Sequence, residues 1–94
     1  MNRPHATEPL PRRFTPQQLG RLMEIVSAVK CECPNQVSKL LTSMGQFEDY
    51  ERRCASANEP DRVVHERLYE LTVQARTLLE EALALVLEHD QISL

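Results

Sequence analysis

Seven apolar residues in the C-terminal third of the chain, Val64, Leu68, Leu71, Ala75, Leu78, Ala82 and Leu85, follow one another at spacings of four, three, four, three, four and three. Such a run is the a/d seam of a heptad-patterned helix. No glycine or proline interrupts it between Asp61 and His89, and at 1.5 Å per residue a helix over that span is about 45 Å long. Asp61, Arg62, Glu66, Arg67, Glu70, Gln74, Arg76, Glu80 and Glu81 flank the seam and read as its solvated face. One helix does not bury its own seam, so the rest of the chain has to supply partners for it.

The rest of the chain is short. Ninety-four residues make one small domain, able to bury somewhat over 60% of its unfolded surface. Two glycines, four aromatic residues and long Leu/Glu/Ala/Arg-rich stretches point to an all-helical protein. A net charge of −3 argues against a nucleic-acid-binding module, which needs a basic face to neutralise phosphates. The only basic cluster, Arg3, Arg12 and Arg13, is thin and reads as solvated linker. With no apolar h-region near the N-terminus and no run of 18 apolar residues, the sequence predicts neither a signal peptide nor a membrane span. The expected compartment is a reducing cytoplasm, in which the three cysteines are free thiols.

Residues 1–14 contain Pro4, Pro9 and Pro11 among polar and basic residues and read as a flexible lead-in or linker. Thr15-Pro16-Gln17-Gln18 is a helix start. Thr15 suits the N-cap, Pro16 the first helical position and Gln18 the far side of a capping box, with Phe14 placed to staple against Leu19. The first helix is expected over about 15–30, burying Leu19, Leu22, Met23, Val26 and Val29. Cys31-Glu32-Cys33-Pro34 breaks it, and the second helix is expected over about 34–54, with Val37, Leu40, Leu41, Met44, Phe47 and Cys54 inward. Asn58 or Glu59 precedes Pro60, which opens a third helix over about 60–89. The tail from Asp90 is expected to fray, with Ile92 and Leu94 as candidates to dock.

The simplest assembly over 15–92 is an antiparallel three-helix bundle with a long C-terminal helix that dimerises. Leu79, Leu83, Val86 and Leu87 lie off the main seam and widen the apolar stripe beyond what two neighbours cover. They are the expected interface of an isologous homodimer; the alternative is that Leu83 and Leu87 cover the loop around Cys31.

Cys31 and Cys33 form a C-x-C pair, with Cys54 and His65 as further residues of metal-ligating or redox type. Cys33 and Cys54 sit at opposite ends of the second helix, about 30 Å apart, so they do not share one ion within a subunit. C-x-C alone supplies two ligands, short of the four of a structural zinc site. Across a twofold axis two corners would bring four cysteines together, and His89 is placed to approach the same corner. No cofactor is implied outright, and zinc or another metal is the candidate at this corner. Cys33, just before a helix N-terminus, is the expected reactive thiol. Cys54 reads as a small buried hydrophobe that is close to His65 across the second turn. No third group to orient a nucleophile–base pair is evident there, and no glycine-rich phosphate cradle or acid–base constellation is present elsewhere, so the chain does not read as an enzyme.

Phe14-Thr-Pro-Gln-Gln-Leu19, Cys31-Glu-Cys-Pro-Asn35 followed by Lys39-Leu-Leu41, Phe47-Glu-x-Tyr50 with Cys54, Val64-His-x-x-Leu68 and Ala75-Arg-x-Leu-Leu-Glu-Glu-Ala82 occur in that order. Together they resemble a C-terminal helical module of bacterial MerR-type transcriptional regulators, over roughly residues 14–92. The Cys-Glu-Cys-Pro-Asn stretch is the most specific part. The resemblance implies an effector or dimerisation domain that follows a winged-helix DNA-binding domain, which these 94 residues leave no room for. The chain is then either an excised effector domain or a freestanding relative that pairs with a regulatory protein. The functional expectation is a helical interaction and dimerisation module related to transcription regulation. The alternative is a metal- or redox-responsive sensor built on Cys31 and Cys33.

Overall fold

A computed structural model describes residues 11–25, 31–54 and 58–94. These form three helices, α1 (Pro16–Glu24), α2 (Cys33–Arg53) and α3 (Glu59–His89), and no strand occurs among them. The fold is an all-α helical bundle, drawn out to 51 × 19 × 18 Å by its longest element, α3, of 31 residues.

Local sequence sets the helix starts. The Gln18 N–H donates to Thr15 Oγ1 at 3.1 Å and the Thr15 N–H donates to Gln18 Oε1 at 2.9 Å, a complete capping box with Pro16 in the first turn. Phe14 is buried in the same apolar cluster as Leu19. The first turn of α2 contains Pro34. Asn58 caps α3 by accepting from the Asp61 N–H at 2.9 Å, again with proline in the first turn.

The helix ends are tertiary. α1 stops at Glu24, six residues short of the expected Lys30, and Ile25 is already extended. The cause lies ten residues further on: the Asn35 side-chain amide donates to the carbonyls of Leu22 (2.9 Å), Met23 (3.2 Å) and Ile25 (2.9 Å), satisfying acceptors that another helical turn would have used. Val26 and Val29, expected in the core, lie outside the described residues. α3 ends in a Schellman arrangement. Ile92 N–H donates to the Leu87 carbonyl and Gln91 N–H to that of Glu88, with Gln91 in the left-handed region at φ 56°. Ile92 thereby packs on the core, whereas Leu94 stays exposed.

Within the lead-in expected over 1–14, residues 11–14 pack on the bundle, and 1–10 lie outside the described residues. Phe14 enters the core. The Arg13 N–H donates to Glu80 Oε2 at 2.9 Å, Arg76 Nη1 donates to the Pro11 carbonyl at 3.3 Å, and Arg12 donates to Asp49 Oδ1 at 2.9 Å.

The main departure from expectation is the rotation of the two long helices. α3 buries Tyr69, Glu70, Thr72, Val73, Arg76, Glu80, Leu83 and Leu87. If the seam takes heptad positions a and d, Tyr69, Arg76 and Leu83 are b, and Val73, Glu80 and Leu87 are f, the positions that face away from a seam. Arg76, Glu80 and Glu70, read as solvated, are inside. The seam residues Val64, Leu68, Leu71, Leu78 and Leu85 are 36–67% exposed. α2 is rotated likewise, burying Pro34, Ser38, Leu41, Gly45, Glu48 and Glu51 while Leu40 and Phe47 face out.

Charge decides this rotation. Arg76 Nε donates to Glu48 Oε1 at 2.8 Å, and Arg76 Nη1 donates to both Glu80 carboxylate oxygens at 3.2 Å. All three side chains are almost wholly buried. Burial works against the guanidinium charge, but Glu48 and Glu80 outweigh it and hold the Arg76 pKa above its ordinary value. Below this ion cluster lies the apolar core of Phe14, Leu19, Leu22, Leu41, Leu83 and Leu87. Removing one partner from a buried ion cluster strands the others. Arg76→Met is therefore expected to destabilise the fold by about 3–5 kcal/mol in urea unfolding, and Arg76→Met with Glu48→Leu and Glu80→Leu to recover most of the loss.

Candidate functional site

Among the described residues the fold leaves an apolar face exposed. Along α3 it carries Val64, Leu71, Leu78 and Leu85 at d and Leu68, Ala75 and Ala82 at a. On one flank, position e, stand His65, Thr72, Leu79 and Val86, which are half-buried or buried. On the other, position g, stand Arg67, Gln74 and Glu81, all exposed. α2 lies on the e flank, as the His65–Glu51 contact shows. Leu40, Phe47 and Tyr50 add to the exposed apolar surface from α2, with the Phe47 and Tyr50 rings 6.4 Å apart between centroids. Of the four residues expected at a dimer interface, Leu83 and Leu87 are core of the single chain, at 0% and 8% exposure. Leu79 and Val86 are half-buried at the margin of the open face. The physical reason is the rotation described above: the off-seam leucines are the ones that face α1 and α2.

The second feature is the Cys31/Cys33 corner. Cys31 Sγ donates to Cys33 Sγ at 2.9 Å, and the Cys33 N–H lies 3.4 Å from Cys31 Sγ. Leu85, Val86, His89 and Asp90, from the end of α3, share a shallow hollow with the two thiols. His89 thus does approach this corner. The helix start was expected to make Cys33 the more acidic thiol. Instead its pKa is raised, first by the hydrogen bond and charge of Cys31, then by desolvation and by Asp90. A neighbouring sulfur and a carboxylate outweigh the favourable helix end. Among the described residues, no group of three or more His, Cys, Asp or Glu side chains is arranged to hold a metal ion.

The third feature lies at the other end of α2. His65 Nδ1 is 2.6 Å from Glu51 Oε1, and His65 Nε2 lies 3.9 Å from Cys54 Sγ and 3.4 Å from Asp61 Oδ1. Cys54 and His65 meet as their spacing across the turn suggested. Glu51, the orienting group absent from the sequence reading, is buried beneath them. Its signal in the sequence is only that it lies one helical turn before Cys54. The hydrogen bond that His65 donates to Glu51 raises the His65 pKa against the opposing effect of desolvation. Cys54 also hydrogen-bonds the Tyr50 hydroxyl and, with Glu51, pushes the Tyr50 pKa up.

No protein-family model, no curated protein and no solved structure matches this chain.

The His65–Glu51 pair makes stability depend on pH in a definite sense. A histidine whose folded pKa exceeds its unfolded value contributes stability fully below the unfolded pKa of about 6.5, and loses it as pH rises through the folded pKa. Urea midpoints measured from pH 5 to 9 are expected to fall across that window in the wild-type chain, and His65→Gln is expected to remove this component of the fall.

Proposed function

We propose that this chain is a helical pairing module that forms a homodimer through the α3 seam, and that it serves transcription regulation alongside a DNA-binding regulator, as its resemblance to MerR-type C-terminal modules implies. The observation that carries the pairing is the exposed a/d seam: about three heptads of the residue pattern that specifies a helix partner, with Val64, Leu68, Leu71, Leu78 and Leu85 left exposed among the described residues.

Charge and shape favour a second copy in antiparallel orientation. With the twofold axis beside Gln74, Arg67 faces Glu81 of the partner subunit and the reverse, both at g, while Leu68 meets Leu78 of the partner subunit and Leu71 meets Ala75 of the partner subunit. Like positions approach one another in an antiparallel pair, so both α2 helices stand on the shared e side. Leu40, Phe47, Leu79 and Val86 then close over one another in a four-helix arrangement. Parallel pairing would instead set the α2 apolar residues against polar Arg67, Gln74 and Glu81.

A second reading, a redox-responsive sensor at the corner, is favoured by the 2.9 Å approach of Cys31 Sγ to Cys33 Sγ. It is compatible with pairing, because the hollow beside the thiols includes Leu85 of the seam.

Sedimentation velocity tests the pairing. The wild-type chain is expected to sediment as a dimer. Leu71→Glu with Leu78→Glu is expected to sediment as a monomer with its helical circular dichroism retained, because neither side chain belongs to the intrachain core. A wild-type chain that stays monomeric up to its solubility limit overturns the proposal.

A further inference from the structure

Three groups around the end of α2 stand in the order of a nucleophile, a base and an orienting acid: Cys54 Sγ 3.9 Å from His65 Nε2, and His65 Nδ1 2.6 Å from Glu51 Oε1. We propose that Cys54 is a modification site, a thiol that reacts with hydroperoxides to form a sulfenic acid, with His65 moving the proton and Glu51 positioning the imidazole.

The geometry assigns each part. Glu51, buried against α3, accepts from Nδ1–H and so fixes the tautomer that leaves Nε2 free to face the sulfur. Its carboxylate also favours the imidazolium, the state His65 reaches on taking the thiol proton. Asp61 Oδ1, 3.4 Å from Nε2, stabilises the same cation from the α3 side. The Tyr50 hydroxyl, hydrogen-bonded to Cys54, is a donor that steadies a thiolate from the α2 side. Cys54 is a free cysteine and half-buried.

The chemistry balances. Cys54 S–H transfers its proton to His65 Nε2. The thiolate attacks one oxygen of hydrogen peroxide, an S–O bond forms and the O–O bond breaks, and the departing hydroxide takes the proton back from His65 as water. Sulfur is oxidised by two electrons and peroxide is reduced by two. Acyl transfer fits less well, because the end of α2 beside Cys54 presents carbonyls rather than N–H groups to an oxyanion; the same carbonyls work against a thiolate, which the His65 imidazolium has to offset. Cys33, whose pKa is raised by the hydrogen bond and charge of Cys31, is the weaker candidate for the same oxidant. The Cys54 site is complete within one chain and does not depend on pairing.

The test uses the Cys31→Ser, Cys33→Ser chain, treated with hydrogen peroxide at pH 7 and trapped with dimedone, with adduct formation at Cys54 followed by mass spectrometry. A thiol activated by the neighbouring imidazole is expected to react on the order of tenfold faster than the same thiol in urea. His65→Gln is expected to return the rate to the urea value. Glu51→Gln is expected to lower it part-way and to shift the ¹⁵N resonances of the His65 ring, a change that a merely structural carboxylate would not produce. Each rate is measured again with Leu71→Glu and Leu78→Glu added, to expose a thiol covered by pairing. A folded chain that reacts no faster than the unfolded one in both backgrounds overturns the proposal, as does a rate indifferent to His65→Gln.

Discussion

The arrangement depends on where one guanidinium goes. Arg76 stands in the middle of α3, bonded to Glu48 across the helix interface, to Glu80 one turn along, and to the Pro11 carbonyl of the N-terminal strap. A charge taken out of water has to keep all its partners, and these partners lie on one side of α3. Their side becomes the inside. Arg12 ties the strap to Asp49 and comes within 3.5 Å of the Glu48 carboxylate, and the Arg13 backbone caps Glu80. Strap, α2 and α3 are thus indexed to a single ion cluster, with the leucine core packed beneath it. Because that cluster sits on the b/f side, the heptad seam turns outward.

Much of the local structure was legible in the chain. Thr15-Pro16-x-Gln18 and Asn58-x-Pro60 state their helix starts in side chains that cap their own neighbours, and an uninterrupted heptad run can hardly be anything but a helix. What was not legible was rotation. Counting apolar residues at helical spacing assigned the seam inward and Arg76, Glu80 and Glu70 outward, because a charged side chain carries no sign of a buried counter-charge elsewhere in the sequence. The early end of α1 was hidden for a similar reason, since its carbonyls are satisfied by Asn35 from another helix. At the candidate sites, the Cys54–His65 approach followed from turn length. Glu51 did not, because its role appears only once α2 and α3 are set side by side.

The two faces of α3 divide the work. One holds the chain together through charge and a small leucine core. The other presents a regular apolar surface whose leucines stay exposed among the described residues, with Arg67 and Glu81 along its edge. The thiols occupy opposite ends of α2: Cys31 and Cys33 near the end of α3, where Leu85 finishes the seam, and Cys54 beside His65, where Val64 begins it. Both ends of α2 therefore adjoin a margin of the proposed pairing surface.

The most direct test of the seam as the pairing surface is electron paramagnetic resonance of a chain whose three cysteines are serine and which carries one nitroxide, at residue 74 or at residue 88. Antiparallel pairing about Gln74 brings the two position-74 labels within the width of adjacent helices, about 10 Å between axes. It separates the position-88 labels by about 42 Å along the helix. Strong spin–spin broadening at 74 and only weak, long-range coupling at 88 is the result this structure leads us to expect. The absence of coupling between subunits at 74 in a folded chain, or equally strong coupling at both positions, would contradict it.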